Sequence, residues 1–522
     1  MHLVAIIGLL LQAQAARPDI LIRNGTIVDG SGNPWYYGDI AIKGDTIAAI
    51  GHLDGTTAAM VIDAKRMVVA PGFIDIHTHA RRGILQDPVA QNYIRQGVTT
   101  LMEGNDGSSP LPLGPFLERL AKTPLGVNFG SFAGQGSIRQ QVLGLENRKA
   151  TPEEIDKMRA LMEQAMRDGA FGLSTGLFYV PGNFTPTEEV IELAKVAGRL
   201  GGMHISHMRD EAASVVESVA ETIRIGEEGG LPTQVTHHKI IGTRNWGKSA
   251  ATLKLVEDAR ARGVDVTLDQ YPYTASSTGT AALFPQWSLA GGQKALLERL
   301  GAPEQRTKIK AVIVDRILTD RGGGDARNVV MARCAFDPKL AGKSLADITA
   351  ERGRKVTVEN AAETAIEIQQ KGGCSAVFHA ISEEDIDAIL RSPYGMIGSD
   401  GEVPKFGEGA PHPRSYGTFA RVLGLYVRER KTISLETAVR KMAGFPADRL
   451  KLLDRGLLRP GMKADLVIFD PAVVRDMATF ENPHQYAVGV SDVIVNGRPV
   501  IREGNLTSER PGRILYGPAV VK

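Results

Sequence analysis

Eight apolar, β-type runs recur through the middle of this 522-residue chain, at residues 68–76, 98–103, 125–132, 170–175, 203–207, 233–237, 264–269 and 396–400. Most are separated by helical patterns such as TPEEIDKMRALMEQAMRDG at 151–169. Strands that alternate with helices imply a parallel sheet, because parallel neighbours need a crossover rather than a tight turn. Eight such units predict an α/β fold, a (β/α)8 barrel of the TIM type, over residues 71–449. The gap between the seventh and eighth runs is too long for one crossover, and predicts an inserted subdomain over 285–350. The ends read differently. ILIRNGTIVDGSGNP and DIAIKGDTIAAIG near the start, and ADLVIFDP (464–471) and SDVIVNGRPVIREG (491–504) near the finish, are short β runs punctuated by turn residues. They predict one small β-sandwich made from both termini, residues 17–70 and 450–522.

Charge narrows the partner. Lys plus Arg number 61 against 59 Asp plus Glu, a net charge of +2, with no basic block to meet nucleic acid or an anionic membrane. A small molecule is the expected ligand, and oligomeric state is not readable. The first 16 residues, MHLVAIIGLLLQAQAA, have the length of a signal-peptide core, and Ala13-Gln14-Ala15 resembles a cleavage site. They are too short to span a bilayer. Export to the periplasm or medium is therefore the expectation, and because the usual cation before the apolar stretch is missing, the cytoplasm is the alternative. Cys334 and Cys374 can form one disulfide, and nothing in their spacing suggests a thiolate metal site.

In a barrel of this kind, chemistry belongs at the carboxyl ends of the strands. The polar residues fall there. His77 and His79 follow the first run; Glu103 ends the second, with Asp106 close behind; His207 ends the fifth; His237 and His238 end the sixth; Asp400 ends the eighth. With only 11 histidines in the chain, one at each of three strand tips is a selective pattern, although a lone His-x-His is as well explained by two solvent-facing imidazoles. Imidazole and carboxylate are ligands for Zn²⁺ and similar ions, and a carboxylate can bridge two of them. Such an ion acidifies water and polarises a carbonyl. Asp400 could then take the water's proton and pass it to a leaving amine; alone, it would read as a turn or cap residue.

Several segments together resemble the N-acyl-D-amino-acid deacylases, the D-aminoacylase branch of the amidohydrolase superfamily. They are PGFIDIHTHA (71–80), GNDGSS (104–109), STGLFYVPG (174–182), HISHMRDE (204–211), THHKIIG (236–242), DQYPY (269–273), IGSDG (397–401) and HPRSYGTF (412–419). The resemblance runs from about Ile20 to about Gly504. It implies hydrolysis of the amide of an N-acyl-D-amino acid, with one tight zinc and a second, weaker site. It places His77, His79, His207 and His237 as metal ligands and Asp400 as the catalytic acid-base. Lys239, Tyr271, Ser277 and Arg414 match the family's clamp for the substrate carboxylate, a task suited to cationic and hydroxyl donors.

One position departs from the family. Its metal-bridging cysteine is here Asp106, and Glu103 is a new acid at the strand end. Alignment favours Asp106 as the bridge. Reach from the strand tip favours Glu103, because a glutamate turned toward the helices would be a buried, unpaired charge; Glu103 is the preferred reading. Oxygen in place of sulfur hardens the site and leaves other divalent ions open. Arg209, Asp210 and Glu211 read as a network steadying His207, and His238 and His412 as hydrogen-bonded structural residues. The rivals are hydrolysis of a cyclic amide, as by dihydroorotases or hydantoinases, of a dipeptide or of a lactone, and a secreted binding protein without catalysis.

Overall fold

The computed structural model describes residues 17–520; the expected signal peptide lies outside the described residues. Eight parallel strands form the barrel: Phe73–Asp75 (β1), Val98–Glu103 (β2), Asn128–Ser131 (β3), Gly172–Gly176 (β4), Met203–His207 (β5), Thr233–Val235 (β6), Val266–Gln270 (β7) and Gly395–Ile397 (β8). Neighbours pair in chain order. The contact from β3 to β4 is made by Ala133–Gly134, which continues β3 one residue further on. The ring closes just beyond β1 and β8, where Thr78 bridges Gly401 in parallel.

Local sequence explains the crossovers. The helix Pro152–Asp168 starts at a capping box, with Thr151 and Glu154 satisfying each other's backbone N–H groups and Pro152 in the first turn. It stops at Gly169, whose φ of +118° disfavours a side chain. Met158, Met162, Ala165 and Met166 fall on one face and are buried against the barrel.

The first apolar run, expected as one strand over 68–76, is divided between two sheets. Val68–Pro71 joins the terminal sheet, and Phe73–Asp75 opens the barrel. Gly72 is the hinge; its N–H donates to the Asp465 carbonyl at 2.8 Å, and a Cβ there would lie 2.3 Å from the Thr99 side chain. Both halves are completely buried, so no polarity change marks the break. The terminal sheet joins strands from both ends of the chain, Ile20–Ile27 and Tyr36–Lys43 with Leu466–Phe469 and Val490–Val495 among them. Rather than two separate layers, it is one nine-stranded sheet that curls until Thr46 bridges Lys463. Ile22, Ile40, Ile42, Val69, Leu466 and Ile468 pack inside the curl.

The insertion is longer than the expected 285–350. It begins with Ser276–Gly279 and returns at Ser375–Phe378; these strands and Val329–Arg333 make a three-stranded antiparallel sheet. Helices such as Pro303–Thr319 and Val358–Gln370 cover it around a separate apolar core. Ser-Ser-Thr-Gly has no apolar periodicity, so its strand is invisible locally. Cys334 and Cys374 are disulfide-bonded within this subdomain.

His204 lies in the barrel wall, fully buried between the hydroxyls of Thr175 at 2.9 Å and Thr233 at 2.8 Å. Burial, with the Arg449 charge, pushes its pKa down to about 3 from 6.5. The unfolded chain therefore binds a proton that the folded one refuses between those two values, so stability falls as the pH drops below 6.5 and levels off near 3. Thermal melts across that range should show a steeper acid loss for the native protein than for His204→Gln; equal slopes would contradict this origin.

Candidate metal centre

Five strand ends converge at one mouth of the barrel. His77 and His79 follow β1, Asp106 follows β2, His207 ends β5, His237 follows β6 and Asp400 follows β8. Two clusters form, His77, His79, Asp106 and Asp400 in one and Asp106, His207 and His237 in the other, with the ligand atoms of each within 4.8 Å of one another. Asp106 belongs to both. Its Oδ1 is 3.4 Å from His77 Nε2 and 3.3 Å from His237 Nε2. Its Oδ2 is 3.3 Å from His79 Nε2 and 3.5 Å from His207 Nδ1. Each oxygen thus faces one imidazole of each cluster, which is the geometry a bridging carboxylate needs.

The backbone aims these groups. Asp106, His237 and Asp400 have φ of +55°, +34° and +52°, in the left-handed region that costs a residue with a side chain ~1–2 kcal/mol. Such strain persists only where the surroundings impose it, and it gathers at functional sites. Asp400 is held by the ring closure itself, its N–H donating to the His77 carbonyl at 2.8 Å.

Glu103, the preferred bridge on sequence grounds, is not in either cluster. It is fully buried, but its Oε2 accepts the Arg81 N–H at 2.9 Å and its Oε1 lies 3.5 Å from Arg81 Nε. Arg81, two residues past the His-x-His pair, answers the objection of an unpaired charge. The turn through Gly104, with φ +82°, carries the chain inward and leaves Asp106 in the mouth.

Burial opposes ionisation of Asp106, yet the imidazoles of His237, His77 and His207 hold its carboxyl well below the usual range. Asp400 likewise stays ionised despite burial, chiefly because Arg414 Nη1 lies 2.8 Å from its Oδ2; its Oδ1 faces His79 Nε2 at 3.1 Å. For His237, burial and the Lys239 ammonium favour the neutral ring, and Asp106 with Glu211 outweighs them, raising it to about 10. The site therefore attracts positive charge. His77 Nε2, Asp106 Oδ1 and Asp400 Oδ1 are buried without a hydrogen-bond partner, a costly state that a cation among them relieves. Imidazoles around a shared carboxylate suit zinc.

A buried network stands behind the ligands. Glu211 Oε1 is 3.1 Å from His237 Nδ1, its Oε2 is 3.7 Å from His207 Nε2, and it accepts from Lys239 Nζ. Lys239 also donates to the His237 carbonyl at 2.8 Å. Arg209 and Asp210 do not take part, since Arg209 pairs with Glu221 at 2.7 Å and Asp210 accepts the Ala212 N–H. His238 bonds Thr252 at 2.8 Å; His412 bonds the Ala275 carbonyl at 2.9 Å and accepts the Arg414 N–H at 3.0 Å. Beside Asp400, the Arg414 guanidinium lies 4.6 Å over the Tyr271 ring and donates to the Ser277 carbonyl at 3.4 Å. Lys239 sits 5.5 Å over the same ring. Of these four expected clamp residues Arg414 touches Asp400, and the other three lie around it, with the Tyr271 hydroxyl buried and without a partner.

Three further residues escape the sequence reading. Asp269 in β7 accepts the His237 N–H at 2.8 Å and lies 3.7 Å from His77 Nδ1; its DQYPY motif is visible, its role is not. Tyr179 packs tilted against the His207 ring, with ring centres 4.6 Å apart. Arg321 comes from the insertion, 3.5 Å from Glu211, and no local pattern announces it. A cavity of about 860 Å³ opens over the centre, with His79, Asp106, Asp400 and Arg414 in its lining.

A closed parallel barrel that presents histidines and a shared carboxylate at its carboxyl mouth defines a metal-dependent hydrolase. Comparison with known proteins gives the family. Residues 351–501 match the model described as "Amidohydrolase family". D-aminoacylase of Alcaligenes xylosoxydans xylosoxydans is 39% identical over 95% of this chain and 97% of its own. Among solved structures, N-acyl-D-glutamate deacylase from Bordetella bronchiseptica, complexed with zinc and a phosphonate mimic of the tetrahedral intermediate, superposes with a TM-score of 0.83 at 33% identity, covering 96% of this chain and 100% of that one. A D-aminoacylase described as having a binuclear metal centre, activated by one metal and attenuated by a second, gives 0.82 at 37% identity, covering 95% and 99%. The chain belongs to the D-aminoacylase family of amidohydrolases, the N-acyl-D-amino-acid deacylases.

The two acids are separable by metal counting. Dialysis against zinc followed by elemental analysis should find less bound metal in Asp106→Ala, and an undiminished count in Glu103→Gln, whose defect is a lower melting temperature from the lost Arg81 pairing. The reverse pattern would restore Glu103 as the bridge.

Proposed function

We propose that this protein hydrolyses the amide bond of N-acyl-D-amino acids, releasing a carboxylic acid and a free D-amino acid. The reading is carried by the position of Asp400, whose Oδ1 faces His79 and His77 in the cluster that Asp106 joins to the second. His77, His79, Asp106, His207 and His237 would hold the metal, one ion tightly and a second more weakly. A divalent ion such as zinc supplies Lewis acidity, making water a better nucleophile and an amide carbonyl a better electrophile.

The chain's own groups do the rest. Asp400 Oδ1 accepts a proton from the attacking water as its oxygen bonds to the carbonyl carbon. The same carboxyl then delivers that proton to the amide nitrogen as the C–N bond breaks, so the amine leaves neutral. Arg414, gripping Oδ2, fixes which oxygen faces the reaction. The substrate carboxylate is assigned to the surface made by Arg414, the Tyr271 hydroxyl, Ser277 and Lys239, where planar and point cationic donors lie close together. Anchoring the carboxylate on one side and the carbonyl on the other leaves one hand of the α-carbon able to present its side chain to the cavity, and the likeness to D-aminoacylase supports that hand being D.

Export is part of the same proposal. It rests on the apolar first 16 residues and is supported by the Cys334–Cys374 disulfide, a bond that persists in oxidising compartments. Fractionation of producing cells should find the protein, shortened near Ala15, outside the cytoplasm; full-length protein in the cytosol would remove this part.

For the reaction, Asp400→Asn should lower kcat by roughly 10²- to 10⁴-fold with zinc content unchanged. Chelation should abolish hydrolysis, and N-acetyl-D-leucine should be cleaved where N-acetyl-L-leucine is not. Turnover that survives metal removal, or a preference for the L form, would overturn the assignment.

A further inference from the structure

The cavity over the metal centre extends well past Asp400, and its outer wall is aromatic. Phe406, Tyr416 and Tyr486 all line it. Phe406 is 54% exposed, unusual for a ring that sits six residues beyond the catalytic aspartate. It stacks on Tyr486 with ring centres 5.1 Å apart and meets Tyr416 edge-on at 6.2 Å. Tyr486 comes from the loop between Leu466–Phe469 and Val490–Val495, so the terminal sheet domain supplies one ring of the wall.

The wall is held in place. Tyr416 Oη lies 2.9 Å from His484 Nδ1, and His484 Nε2 is 3.2 Å from the Gly409 carbonyl. The Ala410 N–H donates to the Ala332 carbonyl at 2.8 Å, tying the Phe406 loop to the insertion. Arg95 lies 5.1 Å over the Tyr486 ring. Three parts of the fold thus converge to hold a half-exposed phenyl face against the cavity.

Two of the neighbouring cations are matched by acids. Arg82 pairs with Glu402 at 2.6 Å and Lys405 with Glu408 at 3.1 Å. Those two cations are thus neutralised, and the rings beside them offer flat apolar surface to the cavity. A volume of about 860 Å³ is of the size that drug-like ligands fill, more than an acetyl group and a small side chain require.

We infer that Phe406, with Tyr416 and Tyr486 behind it, is a specificity platform for a bulky, uncharged apolar group of the substrate. The inference rests on the N-acyl-D-amino-acid reading and names the substrates within it that are preferred. Either the side chain or the acyl group could supply the apolar moiety, and the substrate series tells them apart. Rings in contact with an apolar partner gain stabilisation beyond simple burial, and when that contact is kept in the transition state it raises kcat/KM for the substrates that make it.

The test compares kcat/KM for N-acetyl-D-alanine, N-acetyl-D-phenylalanine, N-phenylacetyl-D-alanine and N-acetyl-D-glutamate in the native enzyme and in Phe406→Ser, Tyr486→Ser and Phe406→Trp. At least one bulky substrate should exceed N-acetyl-D-alanine in the native enzyme. That ratio should fall about 3- to 10-fold in the two serine variants and be retained in Phe406→Trp. A gain confined to the phenylalanine substrate assigns the platform to the side chain, and one confined to the phenylacetyl substrate assigns it to the acyl group. A native preference for N-acetyl-D-glutamate, the absence of a bulky preference, or a ratio unmoved by the serine variants overturns the inference while leaving the deacylase reading intact. Failure of the native enzyme to cleave any of the four removes both.

Discussion

Two backbone hydrogen bonds join the first and last strands of the barrel, from the Asp400 N–H to the His77 carbonyl at 2.8 Å and from the His79 N–H to the Gly401 carbonyl at 2.7 Å. They close the ring, and they also set Asp400 beside the His-x-His pair, more than 300 residues away along the chain. Because neither bond involves a side chain, the placement depends on the whole barrel being wound to the right circumference. Asp106, His207 and His237 then arrive from the intervening strands. The positive φ at Asp400 is the local cost of this closure.

Concentrating charge at that point requires compensation nearby. Glu211, itself almost wholly buried, meets two imidazoles, the Lys239 ammonium and the Arg321 guanidinium. Removing Glu211 would strand the buried Lys239 ammonium, typically at a cost of ~3–5 kcal/mol. Arg321 belongs to the insertion and also lies 4.3 Å over the Phe178 ring that follows β4. The subdomain is therefore tied to the ligand network as well as forming part of the cavity wall.

The pattern of strand and helix is legible because periodicity is local, and polar residues at strand ends stand out against apolar runs. His77, His79, His207, His237 and Asp400 can be picked out that way. Glu103 shows the limit. Strand parity places it at a tip, but the next two residues turn, and the side chain that enters the mouth is Asp106. The run from Val68 to Ile76 shows another limit, since two strands of different sheets share one apolar text when both are buried. Ser276–Gly279 and Arg321 carry no periodic signal at all.

From its residues alone, this chain specifies alternating strands and helices, β-rich ends, and imidazoles and acids at strand tips, because each follows from neighbours a few positions away. The tertiary structure decides which carboxylate stands between the imidazoles, where the first run divides, how far the insertion extends and which rings reach the cavity. Those outcomes depend on backbone turns and on groups hundreds of residues apart, and no short stretch of sequence contains both partners of a contact that only the closed barrel brings together.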